Sequence, residues 1–294
     1  PRFDEIAKKL ILKLTAKKKC EFQSEFSMPF SGQAICTLLG LPIERWFSIA
    51  NDASTLGLAM GLDYKSHEAK INKAYDNLSE LADELIYNAK IQKTCGGLVN
   101  RLITFLDDFD DISYREIADL IVIIIFGGVD TTRSQLGFFM AIFAQYPKDW
   151  ETLRNDASLI PGAIEESIRV WPTTTWATRE TIQNIEIDGV LFPKGATIHL
   201  LVHSSAKDPA LGDIPEFDIQ IKQKMHHGFG GGAHHCLGHF VARTDMASAV
   251  RAIAASIKSF YIHQPPVYLP DSGNTSLEIL PLAYEPAKSN LHEN

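Results

Sequence analysis

From Ser113 the chain runs to Tyr146 in one helical pattern, and Pro147 stops it. At about 1.5 Å per residue this is roughly 50 Å of helix, long enough to cross a whole domain, so the other elements must be arranged around it. Ser113-x-x-Glu116 supplies a capping box at its start. Its middle reads Gly127-Gly128-Val129-Asp130-Thr131-Thr132. Adjacent glycines inside a helix cost about 1 kcal/mol each, so something must compensate. That is either a helix crossing that needs small residues or a flat ligand lying against the helix. In the second case Asp130 and Thr131 face a reaction centre.

A second stretch is equally restrictive. Gly228-Phe229-Gly230-Gly231-Gly232-Ala233-His234-His235-Cys236-Leu237-Gly238-His239 sets a glycine-rich loop before one cysteine, and a helical pattern follows over Leu237–Ile253. Glycine lets backbone approach a flat ligand closely and adopt positive φ. A cysteine at a helix N-terminus has its thiolate favoured by the helix dipole and by free backbone N–H groups. No dinucleotide fingerprint or phosphate-loop Lys-Ser/Thr pair stands here. A loop that presents a thiolate to a large planar metal centre is the leading reading. A zinc site built from His226, His227, His234, His235, Cys236 and His239, or a plain structural loop, are the alternatives; zinc normally takes paired ligands from two separated knuckles.

The other segments read as mostly helix. Residues 1–19 place Phe3, Ile6, Leu10, Ile11 and Leu14 on one face. Residues 22–26 read as a linker, and Met28–Leu39, Pro42–Gly61, His67–Lys93, Leu98–Leu106 and Pro161–Val170 as helices. Thr94–Gly97 reads as a turn and Asp107–Asp111 as an acidic loop. Thr173–Ile187 and Val190–Val202 are β-branched and alternating, broken by turn signals at Asp188-Gly189 and Pro193-Lys194-Gly195. There His199 and His203 share a strand face as structural histidines. Ser276–Leu280 is the last strand expected. The fold class is mostly α with small antiparallel β-sheets, in a single domain over 1–294.

Composition removes several function classes. Lys and Arg number 28 against 36 Asp and Glu, a net charge of −8, which argues against a general nucleic-acid surface. The four cysteines, Cys20, Cys36, Cys95 and Cys236, have no paired spacing, which suits free thiols in a reducing compartment and a cytoplasmic location. The longest apolar run, Leu120–Phe126, is too short for a membrane helix.

Phe229-x-x-Gly232-x-His234-x-Cys236-x-Gly238 resembles the haem-binding signature of the cytochrome P450 family. Gly127-Gly128-x-Asp130-Thr131-Thr132 is similar to its distal-helix motif, and Glu166-x-x-Arg169 to its buried structural ion pair. The family usually adds a second arginine in a Phe-x-x-x-Arg setting. Here Phe217–Ile221 puts isoleucine there, which leaves two readings: Glu166 and Arg169 pair only with each other, or Lys222 substitutes. The resemblance implies haem b held by Cys236, with Phe229 packed on the sulfur side and Gly232 and Gly238 allowing close approach. It implies propionate partners at Arg179 and His234, and a cofactor surface at Gly127 and Gly128. Asp130 and Thr131 become the acid–alcohol pair, since cleaving the O–O bond of dioxygen needs protons delivered to its distal oxygen. Val129, Thr174, Thr175 and Trp176 are the substrate-contact candidates.

The implied activity is a soluble, bacterial-like haem-thiolate monooxygenase. It would insert one oxygen atom of O2 into a C–H bond of a small to medium apolar substrate, with electrons from a ferredoxin-like or flavodoxin-like donor. The resemblance begins just after the family's third named helix, which implies an N-terminally truncated P450 fold without the lid. A fragment, a partner N-terminal piece on a separate chain and a naturally shortened member are all open. The alternative function is a shortened non-catalytic scaffold of the same fold, with or without haem.

Overall fold

A computed structural model describes residues 2–92, 97–106, 112–220, 225–269 and 273–287. The first half is helical: α1 (Arg2–Thr15), a short strand β1 (Lys19–Glu21), α2 (Met28–Leu39), α3 (Trp46–Gly57), α4 (Glu68–Tyr87), α5 (Leu98–Leu106) and α6 (Tyr114–Phe143). Next come α7 (Pro147–Asn155), α8 (Ile160–Val170), β2 (Trp176–Glu180), β3 (Ile185–Ile187), β4 (Val190–Phe192), β5 (Thr197–Leu201) and a single turn, α9 (Val202–Ser205). The chain closes with α10 (His239–Ser256), β6 (Ile257–Ile262), β7 (Val267–Tyr268), β8 (Leu277–Ile279) and β9 (Pro281–Pro286).

Helix α6 is the spine. Its 30 residues span about 45 Å. The capping box forms as expected: the Glu116 N–H donates to Ser113 Oγ, and the Ser113 N–H donates to Glu116 Oε2 at 2.7 Å. The helix stops at Phe143 rather than Tyr146, because Pro147 begins α7 and the residue before a proline is pushed out of helical φ/ψ; Tyr146 lies at φ −121°, ψ 66°. One apolar core packs the half from Leu136 to Phe143 against α1, α7, α8, α10 and β6. A second packs Ile117–Val129 against α2, α3, α4 and α5. Gly127–Thr132 therefore lies where the spine passes from one core to the other.

The sheets are small and antiparallel. One has the order β1–β9–β6, with Cys20 opposite Leu282 and Phe260 opposite Tyr284. The others are the pairs β2–β5, β3–β4 and β7–β8. Sequence patterning did not reveal β1 or β6: β1 is three residues long with only Cys20 buried, and β6 follows α10 without a break. The segment read as a linker is wound into a helical turn, Gln23–Ser27, that stacks Phe22 on Phe26 and Phe26 on Phe30. His203 sits in α9, not on the strand with His199; its Nε2–H donates to the Val170 carbonyl at 3.1 Å. The expected turn at Thr94–Gly97 lies outside the described residues except for Gly97, and the acidic loop Asp107–Asp111 lies wholly outside them. Among the described residues no helix is long and apolar enough to cross a membrane.

Candidate haem-thiolate site

The cysteine loop is a closed hairpin. The Cys236 N–H donates to the Phe229 carbonyl at 2.8 Å, and the Gly230 N–H to the His227 carbonyl at 2.8 Å. Gly230 and Gly232 hold φ of 70° and 62°, a region that costs any residue with a Cβ. Gly228 is required for another reason: a Cβ there would collide with Ile168 of α8, so the loop lies flush on that helix. The following helix begins at His239, with Gly238 as N-cap, rather than at Leu237. Cys236 therefore precedes the helix by a short turn. Cys236 is partly exposed, whereas burial pushes the Cys20 thiol up to about 12 and the Cys36 thiol up to about 11. Those two are inert structural thiols.

Behind the loop stands a polar cluster that the sequence did not reveal. Arg243 of α10 donates from Nε to Glu165 Oε1 at 2.6 Å and from Nη2 to Oε2 at 2.9 Å. Its Nη1 donates to His239 Nδ1 at 2.8 Å, and its guanidinium lies over the Phe229 ring at 4.3 Å. His226 Nε2 donates to Glu165 Oε2 at 3.0 Å, while the Gly228 N–H donates to His226 Nδ1. Burial alone would raise Glu165, but the bonds from His226 and Arg243 outweigh it and hold the carboxyl at about 2. Glu165 is separated from Arg243 by 78 positions, and nothing local in either sequence flags the pair.

One residue further along α8, Glu166 and Arg169 form the expected ion pair. Both are buried, with Nε–Oε2 at 2.7 Å and Nη2–Oε1 at 2.8 Å. The remaining Arg169 donors go to the carbonyls of Ala206, Pro215 and Glu216, and the Asp218 N–H donates to Glu166 Oε1. Backbone groups thus surround the pair. Ile221 and Lys222 lie outside the described residues.

In the middle of α6 the two glycines part company. A Cβ at Gly128 would stand 2.8 Å from Ile35 Cδ1 of α2, so Gly128 serves a helix crossing. A Cβ at Gly127 would meet nothing within 4 Å. Val129 is fully buried in the second core. Asp130 is partly exposed and accepts from Arg133 Nη2 at 3.0 Å. Thr131 Oγ1–H donates back to the Gly127 carbonyl, and Ser134 Oγ–H to the Asp130 carbonyl.

Gln135 ties α6 to the start of β2. Its Nε2 donates to the Trp171 carbonyl at 3.1 Å and its Oε1 accepts from the Thr173 N–H at 3.3 Å. Beyond that anchor, Thr174 Oγ1–H donates to Asn274 Oδ1, Thr175 pairs through its backbone with Gly273 and Val202, and Trp176 stacks edge-on with His199. Arg179, opposite Ile198 on the exposed β2–β5 pair, donates from Nη1 to the Thr178 carbonyl at 2.8 Å. His234 ends a short helical turn in the cysteine loop and is exposed.

These residues fit haem better than zinc. Among the described residues no three His, Cys, Asp or Glu side chains come together to hold a metal ion. The partly exposed Cys236 thiol, the open space over Gly127 and Gly232, and apolar Leu237 and Phe240 at 78% and 72% exposure beside the cysteine suit a flat apolar macrocycle.

The family model described as Cytochrome P450 matches residues 45–280. Luteothin monooxygenase of Streptomyces thioluteus is 29% identical over 273 residues, 90% of this chain and 66% of that protein. The 20-oxo-5-O-mycaminosyltylactone 23-monooxygenase of Streptomyces fradiae is 27% identical over 257 residues, 86% of this chain and 59% of its own. Among solved structures, P450BioI in complex with a hexadec-9Z-enoic acid ligated acyl carrier protein matches with TM-score 0.88 at 26% identity, over 97% of this chain and 74% of that one. CalO2 matches with TM-score 0.88 at 24% identity, over 97% and 72% respectively, a likeness of fold. The chain spans less than two thirds of the length of the first curated relatives it matches, with 66%, 62% and 64% covered.

Proposed function

The chain belongs to the cytochrome P450 family, and from that premise we propose that it acts, as a single P450-like domain, as a haem-thiolate monooxygenase. The observation that carries this is the placement of Cys236: a partly exposed thiol at the closing end of a glycine hairpin, backed by Phe229. Bound haem b supplies the activation of dioxygen and the transfer of one oxygen atom to a C–H bond. Cys236 Sγ would hold the haem iron, and Phe229 would screen the sulfur from water. Gly232 and Gly238 let the loop backbone lie close to the macrocycle, and Gly127 does the same on α6. Arg179 and His234 take the propionates through charge-assisted hydrogen bonds.

Proton supply falls to α6. Asp130 reaches solvent and is oriented by Arg133 Nη2. Thr131 already spends its hydroxyl proton on the Gly127 carbonyl, so its oxygen is left to accept a hydrogen bond from a water. The Asp130 carboxylate takes protons from water and passes them towards Thr131 Oγ1. The substrate is a small to medium apolar molecule, with Thr174, Thr175 and Trp176 as its nearest contacts; Val129 is left out because it is core. Electrons come from a ferredoxin-like or flavodoxin-like donor in the cytoplasm.

The test is product formation from O2 by the haem-loaded chain with a surrogate ferredoxin system, beside Cys236→Ser. Product from the parent and none from the variant supports the proposal. Equal turnover by both overturns it. Haem binding without any product returns the scaffold alternative.

A further inference from the structure

The Glu165–Arg243 pair does more than join α8 to α10. The guanidinium, still 36% exposed, is held from three directions: Glu165 takes Nε and Nη2, His239 Nδ1 takes Nη1, and the Phe229 ring lies under its face at 4.3 Å. Phe229 in turn accepts the Cys236 N–H through its carbonyl at 2.8 Å. A planar cation held this way keeps one orientation and one distance from the cysteine.

We propose that Arg243, clamped by Glu165, is a positioning residue that sets the electrostatic environment of the Cys236 sulfur and so the reduction potential of the haem bound there. The inference rests on the haem-thiolate reading above. Reducing ferric to ferrous haem brings one electron, supplied here by dithionite through mediators, and so adds one negative charge to the centre. A nearby cation favours that state and a nearby anion opposes it. Arg243 and Glu165 therefore act with opposite signs, although each variant breaks the same ion pair.

The experiment is a spectroscopic redox titration of the haem-loaded protein, its Arg243→Gln and Glu165→Gln variants, and Arg243→Lys. We expect R243Q to lower the midpoint potential, E165Q to raise it, and R243K to stay nearest the parent because the charge remains. Shifts of the same sign in R243Q and E165Q would mean mere loosening of the loop and would overturn the inference, as would no shift in either. Should R243Q fail to retain haem, E165Q and R243K carry the test: an unchanged or lowered potential in E165Q overturns it. The ferrous–CO spectrum of the parent separates the two layers. Without a thiolate band there, the haem-thiolate reading itself fails and the inference with it. With the band present and same-sign shifts, the inference alone fails.

Discussion

Cys236 and the residues that frame it make separable demands. Cys236→Ser should abolish the thiolate-type ferrous–CO spectrum and product formation while leaving the far-UV circular dichroism of the parent; a retained thiolate band would contradict its role as ligand. Thr131→Ala should leave electron consumption running while product falls, because the oxygen that accepts and relays protons is gone. Coupling is measured as product formed per electron consumed, and an unchanged ratio would count against Thr131. The two glycines of α6 give opposite expectations. Gly128→Ala should destabilise by about 1–3 kcal/mol, since its Cβ would press on Ile35 Cδ1 at 2.8 Å. Gly127→Ala has room and should stabilise the helix by about 0.5–1 kcal/mol while weakening haem binding. Urea denaturation and haem titration of both variants check this.

At the scale of elements, α8 is the part on which the site leans. It carries Glu166 and Arg169 on one side and Glu165 on the other, so it fixes both the backbone run Pro215–Asp218 and the cysteine loop. Arg169→Met should cost about 3–5 kcal/mol, because Glu166 would be left charged and buried without its partner. Glu165 adds a pH dependence. Its carboxyl is pulled from about 4.5 down to about 2 on folding, so the stabilisation is complete above the unfolded value and fades as pH falls from there towards the folded one. Glu165→Gln should flatten that part of a stability-versus-pH curve measured by thermal melts. The motifs legible in the sequence are those closed over short spans: the Ser113–Glu116 cap, Glu166-x-x-Arg169 and the Gly228–Cys236 loop. Glu165–Arg243, the Gln135 anchor and β1 were not legible, because each is completed by residues far away in the chain. The split between Gly127 and Gly128 was equally hidden, since it depends on which neighbour α2 brings to each.

Across the whole molecule, α6 passes through two cores, and its glycine-containing middle lies where one gives way to the other. Short sheets and the cysteine loop are arranged about the C-terminal half. This is the architecture shared with P450BioI over 97% of the chain. The expectation of a mostly helical chain with small antiparallel sheets came from helical periodicity and turn residues, and the architecture agrees with it. The exact strand pairing did not come that way, because two- and three-residue strands such as β7 and β8 are defined by their partners more than by their composition. Ligation of haem by Cys236 is read from the absorption spectrum of the purified, haem-loaded chain, reduced and then exposed to carbon monoxide. The red-shifted Soret band of a thiolate-ligated haem is expected in the parent and should be lost in Cys236→Ser. A parent that takes up no haem, or whose band stays at the thiol- or histidine-type position, would contradict it.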